Sequence, residues 1–314
     1  MSVPRPSASR SRALSNLAAT MTVLEPYPGL YAYYDGRIPG KRLHSEAKNW
    51  LDDGAYSLGI ATYALVSGHE AIVYDSHTSL DHAQAVRDHL EGLGVTSIRL
   101  VLSHWHTDHI AGNAIFADCE IIANRLTAKT LIENVKTLAR KTPPINPVVM
   151  PNRLFDRQMT LTLDGRTVEL MQFDIHSADG TVLFLPDAGI LLAGDTLEDT
   201  VTYVSEPEHI TTHIAELNRL KTLPIRRILP DHGAREQIAS GGYEPSLIDA
   251  NRDYLQRLVD RAEDPMLDRL SLRDFVAEDI AAGRIIYFEP YETVHRANIA
   301  EVRMARGIEA ADPA

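Results

Sequence analysis

The spacing of apolar positions switches between two and about 3.6 residues along the chain, which predicts strands and helices in alternation. The strand pattern covers residues 30–34, 56–66, 70–74, 97–102, 120–123, 160–163, 167–173, 181–185, 189–193 and 226–229. The helical pattern covers residues 80–93, 126–138 and 210–220. Strand, helix and strand therefore precede residue 103 and predict a βαβ unit. The residues that follow strand 97–102 should lie at the carboxyl edge of a sheet, where ligands commonly bind.

The strand pattern stops after residue 240, and helices are predicted over residues 245–262, 271–282 and 291–306. We divide the chain accordingly into a disordered N-terminal tail (1–20), a globular domain (21–240) and a C-terminal helical extension packed on that domain (241–314). The tail has three arginines and no acidic residue. An organelle targeting segment, or a start site at Met21 instead of Met1, is the alternative interpretation of the tail.

Two further predictions follow from the same pattern. The long loop through Asp53 contains glycine and lysine and is long enough to cover a pocket. The helix over residues 80–93 has apolar residues on one face, so His82 and His89 are expected on its solvated polar face.

The composition and net charge of the chain limit the kinds of binding partner that we expect. The chain has 31 basic and 43 acidic residues, a formal charge of −12, which argues against a nucleic-acid-binding face. Cys119 is the only cysteine, so no internal disulfide can form. No apolar run approaches the roughly 20 residues that span a bilayer. We therefore expect a cytoplasmic protein that acts on a small molecule, without membrane or nucleic-acid partners.

The strongest chemical signal is the stretch SHWHTDHIAGN at residues 103–113. It places imidazoles at His104, His106 and His109 and a carboxylate at Asp108. Imidazole and carboxylate are the usual ligands of zinc and similar ions. Alternate residues of an extended loop point the same way, so His104 and His106 can share one ion. Asp108 and His109 would then face a second ion.

Further ligand candidates follow the ends of later strands. His176 follows strand 167–173, Asp195 comes directly after Gly194, and His232 follows strand 226–229. His209 and His213 are four residues apart on a helix and are a further candidate pair. That helix lacks the glutamate of an HExxH zinc helix, and packing accounts for these two histidines more readily.

The order HxHxDH, then an isolated histidine, a Gly-Asp and a final His-Gly, resembles the signature of the metallo-β-lactamase superfamily over about residues 30–233. The resemblance implies an αββα sandwich, in which two mixed sheets lie between helices, with a C-terminal helical extension. It also implies two Zn²⁺ ions, with iron or manganese as alternatives, and an aspartate, here Asp75, that supports the ligands from behind. The implied ligands are His104, His106 and His176 for one ion, Asp108, His109 and His232 for the other, and Asp195 as the bridge.

The resemblance implies a hydrolase in which a metal-bridging hydroxide attacks a small ester, lactone or thioester, or else an amide or β-lactam. Asp108 would orient the hydroxide and Asp195 would carry a proton to the leaving group. The related β-lactamases have a lysine three residues after the residue that matches Asp195, and here that position is Glu198. A β-lactamase proper is thereby disfavoured. The same motifs are also compatible with a mononuclear iron enzyme like the persulfide dioxygenases, and with a non-catalytic relative.

The C-terminal helices are expected to shape the rim of the substrate pocket or an interface between copies of the chain. Tyr287, Tyr291 and His295 are the candidate substrate-side residues in this region. Ordinary packing is the alternative for all three.

Overall fold

The computed structural model describes residues 16–308, which form two β-sheets packed face to face with helices outside both. The strands are β1 (Thr22–Tyr27), β2 (Leu30–Asp35), β3 (Ile60–Ser67), β4 (Glu70–Tyr74), β5 (Ser97–Val101), β6 (Glu120–Asn124), β7 (Arg153–Phe155), β8 (Gln158–Leu163), β9 (Arg166–Gln172), β10 (Thr181–Leu185), β11 (Ile190–Gly194) and β12 (Arg227–Pro230). The α-helices are α1 (Leu80–Gly92), α2 (Thr107–Ile110), α3 (Arg125–Leu138), α4 (Ile210–Leu220), α5 (Arg235–Ala239), α6 (Ser246–Asp260), α7 (Leu272–Phe275), α8 (Ala277–Ala281) and α9 (Tyr291–Ala305).

Both sheets are mixed. The first has the order β1-β2-β3-β4-β5-β6-β7, antiparallel from β1 to β4 and parallel from β4 to β7. The second has the order β12-β11-β10-β9-β8, with β11 and β12 parallel and the other neighbours antiparallel. This topology confirms the expected αββα sandwich.

The hydrophobic core lies in three layers, one between the sheets and one outside each sheet. Residues such as Tyr63, Leu183 and Leu229 fill the space between the sheets. A second cluster joins α1 and α3 to the outer face of the first sheet. A third cluster joins α4, α6 and α9 to the outer face of the second sheet. Each sheet thereby has an apolar cluster on both of its faces, which is the condition for a stable layered domain.

Helix α1 shows where the periodicity prediction holds and where it fails. The Ser79 side chain caps its first turn by accepting from the His82 N–H, as expected of an N-cap serine. The His82 ring, however, is fully buried, with Nε2 3.0 Å from Oδ2 of Asp35 on β2. The prediction that His82 lies on a solvated face is therefore wrong. His89 is half-buried, and its Nδ1 lies 2.9 Å from the Tyr33 hydroxyl.

The C-terminal helices share one apolar cluster with the second sheet. A single bridge between Ile228 and Tyr243 also joins this region to β12. The predicted helix over residues 271–282 is instead two short helices, α7 and α8, separated at Val276. The division at residue 240 stays a proposal, and a homo-oligomer formed through these helices stays a prediction.

The predicted N-terminal tail falls mostly outside the described residues, which begin at 16. Residues 16–20, however, form a turn that contacts the domain, because the Leu17 N–H donates to Asp81 of α1 and the Thr20 hydroxyl donates to Asp35. Within residues 16–308, no helix has both the length and the apolar character needed to cross a bilayer.

Candidate metal centre

The seven candidate ligands converge on one edge of the sandwich, although they are spread over more than a hundred residues. Every one of them follows the carboxyl end of a strand. His104 to His109 follow β5, His176 follows β9, Asp195 follows β11 and His232 follows β12. Because these strand ends lie at the same edge of the two packed sheets, their loops meet.

One group of ligand atoms consists of three imidazoles and one carboxylate. His106 Nδ1 lies 2.9 Å from Nε2 of His104 and 2.9 Å from Nε2 of His176. Oδ2 of Asp195 lies 3.7 Å from His104 Nε2 and 3.6 Å from His176 Nε2. All four donor atoms lie within 4.8 Å of one another, close enough to surround one cation.

The second group shares Asp195 with the first. Oδ2 of Asp195 lies 3.1 Å from His109 Nε2 and 3.5 Å from His232 Nε2. Oδ2 of Asp108 lies 3.6 Å and 3.3 Å from the same two nitrogens. These four donor atoms are also within 4.8 Å of one another. Asp195 is the one residue that belongs to both groups.

Hydrogen bonds on the far side of the rings orient the nitrogens toward the centre. Nδ1 of His176 lies 2.9 Å from the Tyr203 carbonyl, and Nδ1 of His232 lies 2.7 Å from the Gly59 carbonyl. A carbonyl only accepts, so both Nδ1 atoms must carry the proton. In the neutral rings, the Nε2 lone pairs of His176 and His232 then point into the centre. This is the arrangement that protein metal sites use to fix a ligating tautomer.

These donor atoms fit a bound cation. His106 Nδ1 faces two other imidazole nitrogens at 2.9 Å, and one of them, His176 Nε2, is already assigned as unprotonated. His232 Nε2 likewise directs a lone pair at two carboxylate oxygens. Lone pairs that face each other in a buried site repel unless a proton or a cation lies between them.

The pKa values of the histidines are shifted in opposite directions in the two groups. Burial lowers the pKa of His104 well below its usual range and that of His106 to about 3, which keeps both rings neutral. Burial also opposes charge on His109 and His232. There, however, Asp195 and the neighbouring carboxylates outweigh burial and raise the pKa of both rings well above the usual range. The centre therefore favours positive charge beside Asp195.

Gly194 allows β11 to deliver Asp195 to this position. Its φ of +56° lies in the left-handed region that favours glycine. A Cβ at this position would come within 2.9 Å of both the Ser103 Cβ and the Tyr74 hydroxyl. The glycine thus permits close packing of β11 against the loop that carries His104.

A cavity of about 370 Å³ opens onto this centre. Asp108, Asp195 and His232 line it, together with His106 and His176. Its walls are largely apolar, and its lining includes Trp50, Leu58, Trp105, Tyr203, Val294 and Ala297. Within residues 16–308, Lys141 is the one lysine or arginine that lines the cavity. Such a site would favour a substrate with an apolar group next to the reacting bond.

The three residues predicted on the substrate side do not line this cavity. Tyr291 is fully buried, and its hydroxyl donates to Glu198. His295 is also fully buried, with Nδ1 3.0 Å from the Tyr254 hydroxyl. The Tyr287 hydroxyl donates to Glu292. Helix α9 does reach the cavity, but it does so through Thr293, Val294 and Ala297.

Several residues that line the cavity were not predicted from the sequence. Trp105 lies between two ligand candidates; it packs against the apolar cluster outside the first sheet, as its position suggests, and it also lines the cavity. Trp50 and Asp53 lie in the loop that was predicted to cover a pocket, and they do line one. Lys141, Tyr203 and Val294 carried no such signal, because they lie far from the ligand motifs in the sequence.

Together, the αββα sandwich and the His/Asp centre at its edge define a metallo-hydrolase class of enzyme. A family model described as the metallo-beta-lactamase superfamily matches residues 57–232, more than half of the chain. The chain therefore belongs to the metallo-β-lactamase superfamily.

Two curated relatives show the range of similar proteins. A beta-lactamase-like protein 2 homolog of Caenorhabditis elegans is 26% identical over 183 residues, covering 57% of this chain and 58% of the relative. An atrochrysone carboxyl ACP thioesterase of Passalora fulva is 23% identical over 188 residues, covering 54% of this chain and 52% of the relative. The matches thus span only a little over half of each of these two relatives.

Solved structures share the fold at low identity. A metallo-beta-lactamase from Pontibacter korlensis superposes with a TM-score of 0.59 at 16% identity, and the match covers 76% of this chain and 99% of that chain. At this identity the likeness establishes the fold alone.

Proposed function

We propose that the chain is a dinuclear zinc hydrolase that cleaves a small ester, lactone or thioester. The observation that carries the proposal is the sharing of Asp195 between two complete groups of donor atoms. In this proposal His104, His106 and His176 hold one ion, Asp108, His109 and His232 hold the other, and Asp195 bridges them. When bound, two such ions supply a hydroxide nucleophile near neutral pH and polarise the bond under attack.

The two carboxylates have separate roles in this proposal. Asp108 lines the cavity, and 15% of its side chain is exposed, so it can hold a reacting water in line with the substrate. Asp195 is deeper, with one carboxylate oxygen near four imidazoles and the other without a partner among the described residues. That second oxygen is available to take a proton and pass it to the leaving group.

The cavity walls favour an apolar acyl group over a β-lactam. Glu198 lines the cavity at the position where the related β-lactamases have a lysine, so it supplies no positive charge for the carboxylate that β-lactam drugs carry. Trp50, Trp105 and Leu58 offer apolar surface instead. The thioesterase name of the Passalora fulva relative is compatible with this preference.

A substrate panel on the purified full chain tests the proposal. The panel contains aryl esters, lactones, acyl thioesters, a chromogenic β-lactam and an aryl phosphodiester. We expect turnover of an ester, lactone or thioester, and a loss of about a thousandfold or more in His104→Ala and Asp108→Ala. His44→Ala, at an exposed histidine, is the matched control and should retain activity. Equal activity in all four proteins would contradict the proposal.

The leading alternative is a mononuclear iron enzyme that oxidises a persulfide. Such an enzyme would need only one group of donor atoms, and the completeness of the second group favours two ions. A single iron per chain, with oxygen uptake on a persulfide and no hydrolysis, would support the alternative instead.

A further inference from the structure

A second cluster of metal-ligating side chains lies outside the centre described above. It consists of Asp174, Glu206, His209 and His213, and their donor atoms lie within 4.8 Å of one another. Asp174 belongs to the loop after β9, Glu206 and His209 precede α4, and His213 lies in its first turn. None of the four belongs to either group around Asp195. From the sequence alone, packing was the simpler interpretation of His209 and His213. Asp174 and Glu206 come close to these histidines only in the folded chain.

The distances in this cluster are long for charge-assisted hydrogen bonds and equal those between ligands of one ion. His209 Nδ1 lies 3.2 Å from Asp174 Oδ2, 3.4 Å from Glu206 Oε2 and 3.3 Å from Asp174 Oδ1, the last within reach of a long hydrogen bond. His213 Nε2 lies 3.3 Å from Asp174 Oδ1. Charge-assisted N–H···O bonds are usually about 2.7–2.9 Å. Ligands placed tetrahedrally at about 2.0–2.1 Å from a zinc ion are separated by about 3.3–3.4 Å.

His213 gives an independent indication of a ligand. Its side chain is 1% exposed, and its Nε2 has no hydrogen-bond partner among the described residues, yet this atom points at the Asp174 carboxylate. A buried nitrogen without a hydrogen-bond partner destabilises the folded state. A cation between His213 and Asp174 would satisfy it.

The charges and access also suit a divalent cation. Two carboxylates and two neutral imidazoles balance a charge of +2. The His209 side chain is 41% exposed and Glu206 is 26% exposed, so an ion can enter from solvent. The Glu206 carboxylate is held in place by the Ala178 N–H, 2.9 Å from Oε2.

We propose that Asp174, Glu206, His209 and His213 form a separate structural site for Zn²⁺ or a similar transition ion. Asp174 precedes His176 by two residues, and Glu206 binds the backbone two residues after His176. An ion at this site joins the loop that carries His176 to the start of α4. Its role is therefore to hold that loop in place, and all four of its positions are filled by protein side chains, as in structural zinc sites.

The test compares metal content and thermal stability in the full chain. Wild type, His209→Ala, Asp174→Asn and the control His44→Ala are stripped with a chelator, reloaded with Zn²⁺ and analysed by mass spectrometry for zinc per chain. We expect His209→Ala and Asp174→Asn each to hold one ion fewer than wild type. Both should also show a smaller rise in Tm on zinc addition. His44→Ala should match wild type in both measurements.

The readout is a difference of one ion, so it does not depend on how many ions the Asp195 centre holds. Far-UV circular dichroism checks that each variant is folded, which is expected because His209 is partly exposed and Asp174→Asn keeps its shape. Zinc content and Tm response equal to wild type in either variant would overturn the proposal. The cluster would then be an ion pair of protonated His209 with the two carboxylates only.

Discussion

The Asp75 carboxylate lies 2.8 Å from Nδ1 of His109, and the opposite nitrogen of that ring lies 3.1 Å from Asp195. Asp75 also accepts the Ser103 N–H at 2.6 Å, so one buried carboxylate orients a proposed ligand and anchors the loop that carries His104. Asp231 approaches the same His109 nitrogen at 3.2 Å. Burial holds the pKa of Asp231 well above its usual range, which favours the protonated form of Asp231.

Replacing one of the two accepting oxygens of Asp75 should weaken metal binding. In Asp75→Asn only one side-chain atom can accept a hydrogen bond. Either the Ser103 N–H or the His109 ring therefore loses its acceptor. We expect zinc affinity to fall about 10–100-fold, as is typical when the partner of a ligating histidine is lost. Asp231→Asn is the matched control and should stay near wild type, because an amide resembles a protonated carboxyl group. Competition with a chromophoric zinc chelator measures both affinities, and equal affinities in the two variants would contradict this assignment.

His77 should make the fold sensitive to acid. It is fully buried, and burial, with His82 adding to it, lowers its pKa well below the ordinary 6.5. As the pH falls below 6.5, the unfolded chain takes up a proton at this residue and the folded chain does not. Stability is therefore present above pH 6.5 and is lost below it, by at most about 2 kcal/mol at pH 5.

The variant His77→Asn tests this pH dependence. The residue has a φ of +69°, which asparagine tolerates, and its Nδ1 accepts the Thr78 N–H, which an amide oxygen can also accept. Urea unfolding of wild type and variant at pH 5.0 and 7.5 gives the two losses of stability. We expect the variant to lose less between these pH values, and parallel losses would rule out His77 as a source.

Glu198 lies where the related β-lactamases have a lysine, and its burial bears on what a lysine would do there. By analogy with β-lactamases, a lysine at this position should improve the handling of β-lactam drugs. The residue is 1% exposed, however, and its carboxylate accepts from the Tyr291 hydroxyl and the Tyr203 N–H. Burial raises its pKa to about 7.

Glu198→Lys should therefore destabilise the protein by about 3 kcal/mol or more without creating β-lactamase activity, because it buries an unpaired ammonium. Glu198→Gln should stay close to wild type at pH 7, since the native carboxyl is partly protonated there. Urea unfolding together with a chromogenic β-lactam assay checks both variants. A folded Glu198→Lys protein with raised β-lactam turnover would show that this reasoning is wrong.

Helix α9 should control the size of the acyl group that the cavity accepts. Ala297 lines the cavity and Ala300 on the same helix is exposed. We expect Ala297→Leu to lower kcat/KM for a long-chain or aromatic ester about tenfold more than for an acetyl ester. Ala300→Leu should change neither value. An equal effect of Ala297→Leu on both esters would mean that this wall does not contact the acyl group.

The sequence predicted the layers and the ligand-bearing loops because both depend on local patterns. Apolar periodicity marked α1, α3 and α4, and the histidine motifs gave positions at strand ends. The apolar pattern did not predict strands β1 and β7. Strand β1 carries Glu25 and Pro26 and is only partly buried, while β7 has three residues. Neither strand therefore shows a clear alternation of apolar and polar residues in the sequence.

The remaining wrong or missing predictions concern side chains whose contacts in the fold are with residues far away in the sequence. His82 looked solvated because its burial depends on Asp35, which is 47 residues away. Tyr291 and His295 were placed on the correct helix but on the wrong face, since periodicity does not determine which side of α9 meets the cavity. Asp174 and Glu206 likewise gave no sign of meeting His209 and His213, because only the packed loops bring them together.

Crystals of the zinc-loaded chain, measured on both sides of the zinc absorption edge, test the central claim most directly. We predict two anomalous peaks on either side of the Asp195 carboxylate, about 3.5–4 Å apart. One peak should contact His104, His106 and His176, and the other Asp108, His109 and His232. A single peak in this region, a signal at the iron edge instead, or no peak beside Asp195 would contradict the dinuclear zinc account.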